Sequence, residues 1–204
     1  MRPRRPNGRD DGLKNISPRA LLDESEQEEE VEQFQRSIVR SSDSASKLGT
    51  SLAVVLVLIH VYFAAVQYAR PFSLRHHRPF ADSGADASLA VGELASALAV
   101  AASGLAINRF AHPRADGLSW KYALNVAILF TALQTVYWVA AGASVYVVSL
   151  SKGSGAAVPW GLIWWKPVPA MLMFALAVTS IDSISKMQID LGLMRKSRYR
   201  FKSI

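Results

Sequence analysis

The chain has 204 residues, half of them hydrophobic, a formal charge of +7 and no cysteine. Without thiols it cannot build a disulfide framework, a thiolate zinc site, a cysteine nucleophile, or a prenyl or palmitoyl anchor. Its apolar half is gathered into long blocks rather than dispersed at core spacing, which predicts an all-α, multi-pass membrane protein with four transmembrane helices.

Residues 1–16 mix Pro, Arg, Gly and Asp without periodicity and are expected to be a disordered N-terminus. No early apolar core marks a secretory signal. At Ser17-Pro18 the pattern changes: Ser suits a helix N-cap, Pro the first helical position, and acidic residues follow where the helix dipole favours them. Residues 17–47 therefore read as a charged amphipathic helix with a narrow stripe of Val31, Phe34 and Ile38, and with Glu32 and Arg36 four apart.

The transmembrane domain is expected over 48–185, with spans at about 49–69, 88–107, 122–148 and 167–184. In the first span His60 lies near the bilayer midplane, where an ionisable side chain must face protein. Gln67 shares its helical face. The second span is built of small residues; Gly92 and Ser96, and Ala99 and Ser103, stand four apart, a spacing that lets a neighbouring helix approach closely. In the third, Gln134 falls at a depth similar to that of His60, with Tyr137 close by. A hydrogen bond from His60 to Gln134 or Tyr137 is the expected satisfaction, completing an intramembrane polar network of His60, Gln67, Glu93, Gln134 and Tyr137. Glu93 reads as a shallow carboxylate facing Arg70 or Arg75, about a turn away from His60 in depth. The fourth candidate, preceded by Trp160, Trp164, Trp165 and Lys166, places those aromatics and a snorkelling Lys at the interface. At about 18 residues it is short enough to leave a re-entrant segment open.

Orientation follows from Lys and Arg near the spans. Arg36, Arg40, Lys47, Arg109, Arg114, Lys121, Lys186, Arg195, Lys196, Arg198, Arg200 and Lys202 fall on one side, and only Arg70, Arg75, Arg78, Lys152 and Lys166 on the other. Both termini are therefore expected in the cytoplasm. The tail 186–204 alternates cations with Tyr199 and Phe201, a composition attracted to anionic lipid. Its last five residues, Arg200-Phe201-Lys202-Ser203-Ile204, resemble the C-terminal dibasic signals that retrieve multi-pass proteins to the endoplasmic reticulum.

No G-x-S-x-G elbow, P-loop or G-x-G-x-x-G fingerprint occurs, so nothing nominates an enzyme or a nucleotide cofactor. His76 and His77 lie between Arg75 and Arg78, and adjacent residues of an extended chain point apart, so neither a metal nor any other cofactor is expected. The positive charge points to a lipid surface rather than to nucleic acid. The function expected is that of a non-enzymatic scaffold or accessory subunit in contact with membrane lipids and other membrane proteins. The alternative is a small transporter or channel component with a polar path around His60 and Gln134.

Overall fold

The structure is a computed structural model that describes residues 24–83, 86–113, 119–151, 161 and 165–201. These form four long helices, α1 (Glu24–Ala69), α2 (Asp86–Ala111), α3 (Trp120–Ser151) and α4 (Val168–Phe201), and one short 3-10 helix (Arg78–Ser83) after α1. All four are long and apolar enough to cross a membrane. The expected N-terminal disorder, the helix start at Ser17, Trp160, Trp164 and the end of the tail from Lys202 lie outside the described residues.

At about 1.5 Å per residue, the 46 residues of α1 extend about 69 Å, more than twice a hydrocarbon core of about 30 Å. No Pro interrupts it, and one stripe serves its whole length. Val31, Phe34, Ile38, Ser42, Ser46, Gly49, Ala53, Leu56, His60, Ala64 and Gln67 recur every three or four residues on its buried or half-buried side. The opposite side, with Val54, Val55, Leu58 and Tyr62, is exposed apolar surface of the kind lipid covers.

α2 is the central helix and packs against α1, α3 and α4. Its small residues explain this position: Ala97, Ala99, Val100, Ser103, Ala106 and Ile107 are buried around most of its circumference. Where α1 crosses it, Gly104 lies so close that an added Cβ would stand 2.5 Å from the Cβ of Ala53. Three apolar layers result. Phe80, Leu89, Trp138 and Val145 pack at the loop side, the end of the bundle that carries the α1–α2 loop. Ala53, Ala99, Val100, Ala170 and Met173 fill the middle. Ala106, Ala123 and Ile181 close the termini side, where Phe110 meets Trp120 edge-on at 5.3 Å.

The fourth segment is one unbroken helix, long and apolar enough to cross. Pro167 precedes α4 and Pro169 lies in its first turn, where a missing N–H costs nothing. The helix continues well past Ile184, so the residues expected as a separate basic tail are helical through Phe201. Its extension runs beside that of α1, and Arg195 Nη2 donates to Gln35 Oε1 at 2.6 Å. Glu32 and Arg36 pair at 2.8 Å on the exposed face of α1, which contributes only a few tenths of a kcal/mol.

Gly104→Ala should lower unfolding stability in mixed micelles by about 1–3 kcal/mol because a helix pair must separate. Gly192→Ala on α4, where an added Cβ meets nothing within 4 Å, should leave stability unchanged or raise it by about 0.5–1 kcal/mol.

Candidate functional site: a buried carboxylate shared by two histidines and a lysine

The site begins where α1 ends. Arg70 N–H still donates to Val66, but Pro71 cannot continue the ladder, and Phe72 takes a left-handed conformation with φ 60°. The Phe72 N–H donates to Gln67 Oε1 at 3.2 Å, which binds the loop to the helix just left. The chain then winds tightly: His77 and Arg78 N–H both donate to the Leu74 carbonyl, and Phe80 N–H donates to that of His77. Because these residues turn rather than extend, His77 and Phe80 both point into the bundle and are fully buried, Phe80 against Trp138. Arg75 and Arg78 remain outside.

Glu93 of α2 receives them. His60 Nδ1–H donates to Glu93 Oε2 at 2.7 Å, and His77 Nε2 lies 2.9 Å from Glu93 Oε1. The Lys166 ammonium donates to the same Oε1 and stands 3.2 Å from His77 Nε2. Phe63, Trp165 and Trp138 surround that ammonium with their rings, at 5.0, 5.1 and 5.2 Å from ring centre to Nζ. Their π faces replace part of the hydration the cation has lost. None of the four polar side chains is more than 2 % exposed. Burial pushes the Lys166 amine down to about 8, although Glu93 pulls the other way.

Geometry revises three expectations. His60 meets Glu93 rather than Gln134 or Tyr137, because α2 starts at Asp86, earlier than its apolar run. Counting from the loop-side helix ends, His60 and Glu93 then lie about 13.5 and 10.5 Å deep, within side-chain reach. Glu93 is not at the rim beside Arg70 or Arg75 but fully buried. Lys166 does not snorkel; it turns inward to the carboxylate.

A second network lies beside the first. Ser96 Oγ donates toward Gln134 Oε1 (3.1 Å) and the Gly92 carbonyl (3.0 Å), and accepts from Trp138 Nε1 at 3.2 Å. Gln134 Nε2 donates to Thr135 Oγ1 and, at 3.4 Å, to the Pro167 carbonyl. Since Pro167 follows Lys166, the two networks share one turn of chain. Tyr137 donates instead to Ser88 Oγ at 3.2 Å and lies over Gly92, so it stands apart from His60. Ala99 and Ser103 are buried on α2, the Ser103 hydroxyl donating to Ala99 of its own helix. Of the tail residues, Arg195 and Lys196 are exposed, and Arg198 and Arg200 lie on α4.

His77 and Lys166 are the members the sequence did not mark. The aromatic residues next to Lys166 were the available signal, since the rings that suit an interface also suit a buried cation. His76, His77 and Glu93 bring polar atoms within 4.8 Å of one another. Two of those three already serve the Lys166 ammonium, so the chain's own cation takes up the lone pairs a metal ion would need. Compared with protein-family models, with curated proteins and with solved structures, the chain matches none.

Ser96→Ala should remove about 1–2 kcal/mol of stability in bilayer-mimetic unfolding, since both the Gln134 carbonyl and the Trp138 N–H lose their partner. Ser103→Ala, which removes only a bond within its own helix, should change it by less than about 0.5 kcal/mol.

Proposed function

We propose that this chain is a non-enzymatic, multi-pass component of the endoplasmic reticulum membrane, with both termini in the cytoplasm, that acts as a scaffold or accessory subunit. The observation that carries this reading is the arrangement of polarity inside the bundle. Its buried charges and amides satisfy one another across the helices on the loop side, while the layer beneath them is Ala53, Ala99, Val100, Ala170 and Met173. A polar route would have to pass that layer. The arrangement suits a device that fixes the mutual positions of four helices and leaves their outer faces for lipid and other membrane proteins. Val54, Leu58, Leu133, Val136 and Leu172 stand outward for that purpose. The paired extensions of α1 and α4 add a charged surface outside the bilayer for partner contacts.

One observation favours a second reading, a small proton-coupled transport component: four ionisable side chains buried at membrane depth are more than helix packing requires. A single pair of measurements separates the two. In native membranes, crosslinking and mild-detergent purification should recover the chain with other membrane proteins. In reconstituted vesicles it should carry no flux driven by a pH gradient. A partner-free monomer would contradict the scaffold reading, and a flux abolished by His60→Leu would establish the transport one.

A further inference from the structure

Residues 71–83 form a cap that closes the loop side of the bundle, and two buried side chains hold it down. Phe80 is an apolar anchor against Trp138, while His77 is a titratable one. Its Nε2 lies between two groups of opposite sign, 2.9 Å from Glu93 Oε1 and 3.2 Å from Lys166 Nζ. With a neutral ring the buried site balances one carboxylate against one ammonium, and Nε2 stays within hydrogen-bond distance of both. An added proton on the ring removes that balance. The imidazolium then faces the ammonium at hydrogen-bond distance in a water-poor site, with one carboxylate to serve both cations and His60 as well.

We propose that His77 is a proton-operated latch, whose protonation when the loop side is acidified releases the 71–83 cap from the bundle.

Every group packed around His77 bears on this. From α1 comes His60, through the shared carboxylate, and from α2 Glu93 itself. The turn before α4 supplies Lys166. α3 presents Trp138 and Gln134, which carry no charge, and Tyr137, which is occupied by Ser88. Within the cap, the His76 ring stands edge-on to His77 at 4.4 Å. Burial, then Lys166 and then His77 hold His76 down to about 4, so it stays neutral while an ordinary histidine titrates and does not compete for the proton. Lifting the cap also frees His77 Nδ1 and His76 Nε2, which in the closed form are buried without a partner among the described residues. Charge repulsion and hydration of the rings therefore act in the same direction. This goes beyond the scaffold reading, and its failure would leave that reading untouched.

The test is hydrogen exchange of the full chain in lipid nanodiscs, read at the hydrogen-bonded amides of His77, Arg78 and Phe80 and corrected for intrinsic rates. Protection should fall at least about tenfold between pH 7.5 and 5.0 and return on neutralisation. His77→Gln should abolish that dependence and His112→Gln, on the far side of the bundle, should keep it. Protection unchanged with pH, or lost equally in His77→Gln, overturns the proposal. Should His77→Gln fail to fold, the imidazole nitrogen signals of the native protein decide the matter. Titration of His77 with the same midpoint as the loss of protection supports the latch, and loss of protection while His77 stays neutral refutes it.

Discussion

One carboxylate organises the loop side of this bundle. Glu93 lies on the central helix and offers two oxygens to groups from three other parts of the chain: His60 from α1, His77 from the cap, and Lys166 from the turn that starts α4. A carboxylate buried among apolar residues is tolerable only if its lone pairs are filled and its charge is balanced. That requirement explains features that look unrelated in the sequence. The loop after α1 coils tightly because His77 must be delivered inward, and Trp165, Phe63 and Trp138 fold over Lys166 because its charge has left water.

The rest of the bundle is apolar packing with little directionality. Helices in lipid gain nothing from hiding oil in oil, so they associate through close backbone approach and a few polar contacts. Gly104 against Ala53 supplies the first kind toward the termini side, and the Ser96, Gln134 and Trp138 contacts supply the second. Among the described residues the buried ionisable side chains lie on the loop side, while on the termini side Ser46 Oγ donates to Asn108 Oδ1 between α1 and α2, and α1 and α4 continue together past the core.

The four spans were legible because length and hydropathy alone decide whether a helix can cross a bilayer, and those quantities are local. The location of α4 was harder: from Trp160 to Lys166 the composition suits either an interface or a buried cage, and only tertiary neighbours choose between them. His60 and Glu93 stood out as ionisable groups in apolar surroundings, yet their pairing was not readable. It depends on where α2 begins, and an error of two residues moves a side chain about 3 Å in depth. His77 was hidden for a different reason. Between two arginines it looks solvated, and only the winding of residues 74–80 separates its direction from theirs. The continuation of α4 beyond its apolar stretch is hard to read because its charged residues resemble a loose tail, although Lys, Met, Gln and Leu are good helix formers in water.

The central claim is that the Glu93 carboxylate and the Lys166 ammonium stabilise the fold as one unit. A double-mutant cycle with Glu93→Gln and Lys166→Met, read by reversible unfolding in bilayer mimetics, tests it most directly. Each single change leaves a buried charge unanswered and should cost about 3–5 kcal/mol, whereas the pair together should cost far less than the two summed. Strictly additive losses would mean that the two groups do not share a site, and Glu93 could not then be the group that organises the loop side.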